Sequence, residues 1–127
     1  RLVLDGLSAK LAAKAMSKSL NSKLELIISK HRNAIDDKDP DKFTNADIQL
    51  HTTILDASDN NPLQELARQV YDKIYVAMKA RAAPLGPEVS FQDHLNIYNA
   101  IVKSNSEEAE NAARSHVEHI IERMLKN

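Results

Sequence analysis

Asp47 and His51 stand four residues apart in the stretch Asp47-Ile48-Gln49-Leu50-His51, a spacing that projects both side chains from one face of a helix. The same arc carries Phe43, Leu50, Ile54 and Leu55. A carboxylate and an imidazole aimed into an apolar interior are costly unless something satisfies them. The fold therefore has to bring partners to that spot. His94 and His116 also lie within apolar helical stripes, so Asp47, His51, His94 and His116 converging from three helices would form an open-sided metal site.

The rest of the chain is legible as the cage. Its 127 residues suffice for one domain with a real core. With only two glycines and four prolines to interrupt it, the sequence divides into six helical segments and contains no stretch of strand periodicity, which predicts an all-α antiparallel bundle. The first segment runs from about Leu2 to Ser17, with Leu4, Leu7, Leu11 and Ala15 as its stripe. The second opens at Asn21 or Ser22, where Ser22-Lys23-Leu24-Glu25 has the form of a capping box, and buries Leu24, Ile27, Ile28 and Ile35 with His31 alongside. Asp39-Pro40 begins the third, which ends near Ala57. Asn61-Pro62 starts a fourth, reaching about Ala82 through Leu63, Leu66, Val70, Ile74 and Met78.

Pro84-Leu85-Gly86-Pro87 is the strongest breaker. A fifth helix follows from Glu88 or Ser90 to Lys103, with Phe91, His94, Leu95, Tyr98, Ile101 and Val102 expected inward. Asn105-Ser106-Glu107-Glu108 caps the last helix, which extends to Leu125. A net charge of −1 offers no long-range attraction to nucleic acid. No apolar run approaches the roughly 20 residues of a membrane span, so no membrane partner is expected. The absence of cysteine excludes thiolate chemistry and fits a cytoplasmic setting. The chain opens on Arg rather than Met, as an excised part of a longer protein would.

Taken singly, each polar residue has a plainer explanation. Asp47 is a surface residue if the stripe is misphased. His51 alone is more often a core histidine bonded to a carbonyl than a ligand. His94 follows Asp93 and can bond locally. Of His116 and His119, the apolar side marked by Ala109, Ala112, Ala113 and Ile120 favours His116 as the inward one. Spacing alone leaves a metal site and a set of packed histidines both open.

Four stretches resemble one known family. Arg1-Leu2-Val3-Leu4-Asp5, with the Ala-rich run from Ala9 to Ala15, resembles an opening Arg-x-x-Leu-Glu with Asp for Glu. Asp47-Ile48-Gln49-Leu50-His51 resembles Asp-x-x-Phe-His with Leu for Phe. Ala57-Ser58-Asp59-Asn60 and Leu63 resemble Ala-Ser-Gly-Asn-x-x-Leu with Asp for Gly. Asp93-His94, Ala100-Ile101 and His116 resemble a closing Glu-His…Ala-Ile…His. Together they are similar to the FadR C-terminal (FCD) effector-binding domain of GntR-family transcription regulators, over essentially the whole chain.

The resemblance implies a dimeric, all-helical sensing domain that is not an enzyme. It implies a divalent metal on Asp47, His51, His94 and His116, and a small carboxylic acid as effector. Such donors, without sulfur, suit Zn²⁺ or Ni²⁺ and also Mn²⁺. Arg1 matches the family's arginine and is expected to clamp the effector, with Arg81 as a looser candidate. DNA binding is expected to reside in an N-terminal winged helix-turn-helix domain outside this chain. Tyr71, Tyr75 and Tyr98 are either pocket lining or ordinary core. Two other classes compete. A metal-dependent hydrolase could use the same ligands, but the chain has no His-Glu-x-x-His and no evident inward base. A purely structural dimerisation module would use the histidines only for packing.

Overall fold

The computed structural model describes residues 1–80 and 86–126, the side chains of residues 78–80 excepted. Among the described residues there are six helices and no strand: α1 Leu2–Lys14, α2 Lys18–Asp36, α3 Pro40–Ala57, α4 Asn61–Ala80, α5 Pro87–Val102 and α6 Ser106–Lys126. The all-α bundle expected from the periodicity is the fold.

Local chemistry sets most of the helix ends. The Asp39 side chain accepts a hydrogen bond from the Lys42 N–H, with Pro40 in the first turn of α3. Asn60 caps α4 by accepting from the Leu63 N–H. Asn105 accepts from the Glu108 N–H while its own amide donates to the Glu108 carboxylate, a reciprocal cap on α6. The second helix departs from expectation. It starts at Lys18 with Ser17 as its cap, accepting from the Leu20 N–H, and Ser22 is an exposed residue within the helix. Leu20 is buried in the core, and helix must extend back to it. The first helix accordingly ends at Lys14, and Ala15 lies exposed beyond it.

Packing arranges the helices as two hairpins, α2 with α3 and α5 with α6, while α1 packs most extensively on α6 and also touches α3, α5 and α4. The α1–α6 seam is made of small residues: Ala9, Ala12 and Ala13 face Ala109 and Ala113. At Gly6 a Cβ would stand 2.8 Å from Arg114 Cγ, so a larger residue there would have to displace the Arg114 side chain. The Leu4, Leu7 and Leu11 stripe turns the other way and packs on a second cluster built from Leu55, Leu63, Ala67 and Tyr71. Thus α1 buries two sides, small residues against α6 and leucines against α4.

The inward face of α5 is also rotated from expectation. Ser90, Asp93, His94, Ile97, Ala100 and Ile101 are buried, whereas Phe91, Leu95, Tyr98 and Val102 are half-buried. Three helices crowd α5, and close approach selects small side chains that a reading weighted by hydrophobic size passes over.

Three helix exits use left-handed backbone without glycine: Lys38 (φ 52°), Asp59 (φ 51°) and Ser104 (φ 57°). After α2 and α5 the next N–H groups return to Ala34 and Ile35, and to Ala100 and Ile101, the pattern that ordinarily ends in glycine. Asp59 stands where the family pattern has glycine, and the positive φ explains that preference. A Cβ costs roughly 1–2 kcal/mol in this conformation, partly offset by glycine's looser unfolded state. Lys38→Gly and Ser104→Gly should each stabilise the fold by up to about 1 kcal/mol, read as a higher denaturant midpoint at unchanged slope. A lower midpoint for both would refute the strain.

Candidate metal centre

Helix α3 places Asp47 and His51 one turn apart on its buried face, α5 contributes His94, and α6 contributes His116. All four are buried, at 5%, 6%, 0% and 2% exposure. His51 Nε2 lies 3.0 Å from Asp47 Oδ1, and His94 Nε2 lies 3.3 Å from the same oxygen. His94 Nε2 is 3.1 Å from His116 Nε2. One ring nitrogen from each of His51, His94 and His116 lies within 4.8 Å of the others. The four residues marked by the sequence pattern therefore come together. His119 is half exposed and points away from them.

Two of these atoms are orphans. Asp47 Oδ1 and His51 Nε2 are fully enclosed and have no hydrogen-bond partner, because their contact is misaligned for one. Atoms about 2.1 Å from a shared cation and at about a right angle to each other lie about 3 Å apart. The observed separations match that arrangement, and a cation would satisfy both orphans at once. Nitrogen and carboxylate donors without sulfur suit Zn²⁺, Ni²⁺ or Mn²⁺.

An outer ring of contacts orients the cluster. Asp93 Oδ2 accepts from His116 Nδ1 at 2.9 Å and from His119 Nδ1 at 2.9 Å. His31 Nε2 lies 2.6 Å from His94 Nδ1. Holding the outer nitrogens of His116 and His94 fixes which nitrogen of each ring faces inward. Arg1 Nε donates to Asp5 Oδ2 at 3.0 Å, and Tyr71 donates its hydroxyl to Asp5 Oδ1. The Tyr75 hydroxyl is buried without a partner. Beside His51, a cavity of about 10 Å³ is lined by Asp5, Ser8, Ala9, Ile54, Tyr71 and others. It has room for about one water. Arg81 falls outside the described residues, as do Pro84 and Leu85 of the Pro84–Pro87 break. Tyr98 lies apart and reaches toward Asn21.

Asp93, His31 and Asp5 were not marked as site residues by the sequence. His31 carried a signal, since a histidine on an apolar stripe needs a partner. That partner sits on another helix, 63 residues away. Asp93 was read as a local neighbour of His94, and its true partners are on α6.

Burial pushes the Asp47 carboxyl up, but His94, His51 and Arg1 together outweigh it and hold the group well below the usual carboxylate range. Burial drives His94 far below an ordinary histidine. His116 and His31 also fall through burial, the former despite its bond to Asp93. The centre therefore presents an ionised carboxylate beside the neutral imidazoles of His94 and His116, the protonation state that a cation requires.

The unfolded chain protonates these three histidines near pH 6.5, and the fold resists it. Their contribution to stability is complete above about pH 6.5 and is lost as pH falls below it. His119, raised by its bond to Asp93, has the opposite sign: its contribution is present below about pH 6.5 and fades as pH rises through its folded value. Half exposed, it offsets little. Asp47 and Asp93, both lowered, matter only near and below pH 4. Metal-free protein should melt at a lower temperature at pH 5 than at pH 7. An equal or higher melting temperature at pH 5 would contradict the neutral buried cluster.

Comparison with known proteins agrees with this architecture. No curated protein matches the chain. The family model described as FCD domain matches residues 1–119, which includes α1 to α5, α6 as far as His119, and every residue of the buried cluster. The chain belongs to the FCD domain family.

Proposed function

We propose that this FCD domain senses a small carboxylic acid at a divalent cation held by Asp47, His51, His94 and His116, and passes the signal to a DNA-binding domain of the same regulator. The observation that carries the reading is the pair of enclosed, unpartnered atoms, Asp47 Oδ1 and His51 Nε2, with His94 Nε2 3.3 Å from that oxygen and His116 Nε2 3.1 Å from His94 Nε2. A buried cluster kept only for packing would have no reason to hold an ionised carboxylate without a full set of donors. A divalent cation, with Zn²⁺ or Ni²⁺ ahead of Mn²⁺, would supply the positive charge that attracts a carboxylate effector into an apolar interior.

The chain's own groups favour an acid ligand. Arg1 is 17% exposed and held by Asp5; its guanidinium retains donors for a carboxylate at the rim. The Tyr75 hydroxyl adds an unused polar group in the same region. The cavity beside His51 holds about one water, so an acid larger than that requires lining residues such as Asp5, Ser8 or Tyr71 to shift. Those residues belong to α1 and α4, and binding is thereby coupled to a change in how these helices sit. The leverage is limited to the acid's difference in affinity between the two arrangements. The reading includes a homodimer, with DNA contacts made by a domain other than this one, in a cytoplasmic protein without enzymatic activity. A hydrolase would need a general base beside the cation, and the further buried carboxylates are engaged, Asp93 by two histidines and Asp5 by Arg1 and Tyr71.

Metal analysis and calorimetry test the proposal together. Purified protein should hold one divalent ion per chain, His94→Ala and His116→Ala should lose it, and His119→Ala should keep it. An organic-acid panel titrated into metal-loaded protein should contain a binder whose affinity falls at least about tenfold on metal removal or in Asp47→Ala. Tight acid binding indifferent to both changes would overturn the metal-anchored mechanism.

The cation should also stabilise a fold that survives without it, because the helical core is built independently of the site. At free metal about 100 times its dissociation constant the gain is roughly 2.7 kcal/mol, or several degrees in melting temperature. Identical melting curves before and after verified metal removal would show that no ion bridges α3, α5 and α6.

A further inference from the structure

His31 is a fifth buried polar group at the centre, and the proposed ligand set does not use it. It is 0% exposed on α2. Phe43 and Phe91 stand edge-on to its ring, with centroids at 4.6 and 5.3 Å. Its Nδ1 is enclosed and unpartnered. Its Nε2 lies 2.6 Å from Nδ1 of His94, the nitrogen that His94 turns away from the centre.

Two neutral imidazoles in such contact share one hydrogen bond, so one ring donates and the other accepts. The far end of the cluster decides the direction. Asp93 accepts from His116 Nδ1–H, which leaves His116 Nε2 as a bare lone pair. His94 Nε2, 3.1 Å away, is placed to donate to it. His94 Nδ1 is then bare, and His31 donates through Nε2–H. In the metal-free chain the bonds run one way, from His31 to His94 to His116 to Asp93.

A cation needs the lone pair of His94 Nε2. His94 must then carry its proton on Nδ1, and the bond to His31 reverses. The proton between the rings crosses from His31 Nε2 to His94 Nδ1, the proton on His94 Nε2 leaves to water, and His31 takes one from water at Nδ1. Each ring keeps one proton, and the net exchange is zero. We propose that His31 is a positioning residue of the centre, which holds the His94 ring and, by exchanging tautomers with it, presents a bare Nε2 to a divalent cation. This rests on the cation reading above. It also accounts for the unpartnered Nδ1, which must be free to be bare in one state and protonated in the other.

Nitrogen-15 NMR of histidine-labelled protein, with Zn²⁺ as the probe, tests the exchange, because two-bond couplings distinguish the tautomers. His31 should be Nε2–H in metal-free protein and Nδ1–H with zinc, while His116 stays Nδ1–H throughout. Without metal, His31→Leu should melt at or below the wild-type temperature, since it deletes an unpartnered buried nitrogen but also leaves His94 Nδ1 without its donor. Its zinc affinity should fall about 10- to 100-fold. His31→Gln offers a carbonyl oxygen to His94 Nδ1–H and should restore most of that affinity. Wild-type zinc affinity in His31→Leu, or His31 remaining Nε2–H in the zinc-loaded protein, would overturn the role. Failure of the wild type to bind zinc would sink the metal site itself, a distinct result. If His31→Leu does not fold, the tautomers of the wild type decide alone.

Discussion

Everything near the centre depends on the cost of enclosing the Asp47 carboxylate. An ion that size loses several kcal/mol of hydration on entering a protein interior. Arg1, at the rim, recovers part of this through charge. The imidazoles of His51 and His94 sit about 3 Å away and recover part through their dipoles. Neither contact completes a hydrogen bond to Oδ1. The fold is thus built around a local deficit of positive charge, and the positions of α3, α5 and α6 make sense as the scaffold that keeps the deficit in place.

How much of this the sequence discloses varies with the range of the interaction. Helix number, the caps at Asp39 and Asn105, and the gathering of Asp47, His51, His94 and His116 were legible, because each rests on local chemistry or on periodicity within one helix. The start of α2 was misread since two serines five residues apart both offer a cap. The choice between them is made by burial of Leu20, a tertiary fact. The rotation of α5 was missed for a related reason: Ser90 and Ala100 are inward because neighbours come close. Asp93 and His31 were hidden more deeply, as their roles exist only across helices. Asp93 leaves no spacing signature of its own, and the place of His31 on an apolar stripe signals a need for a partner without saying which helix supplies it.

The two clusters of the core divide the molecule unequally. Alanine and isoleucine side chains of α1, α5 and α6 share one cluster with α2 and α3, whereas α4 relies on a smaller one with half-buried leucines and tyrosines. The cavity beside His51 is lined from both, by Ala9, Ile54, Ile97 and Ala113 of the first and Tyr71 of the second, and α1 contributes to each cluster.

The α1–α6 seam has a mechanical consequence. Alanines of both helices line this seam and the stems of Arg114 and Glu110 cover Gly6, and alanine has no rotamers through which to yield. Such a joint is stiff. The contact of α1 with α4 runs through Leu4, Leu7, Leu11, Tyr71 and Tyr75, long side chains that can change rotamer and re-pack. A push delivered at the centre therefore divides according to compliance, and displacement accumulates on the α4 side while α1 and α6 move as one piece.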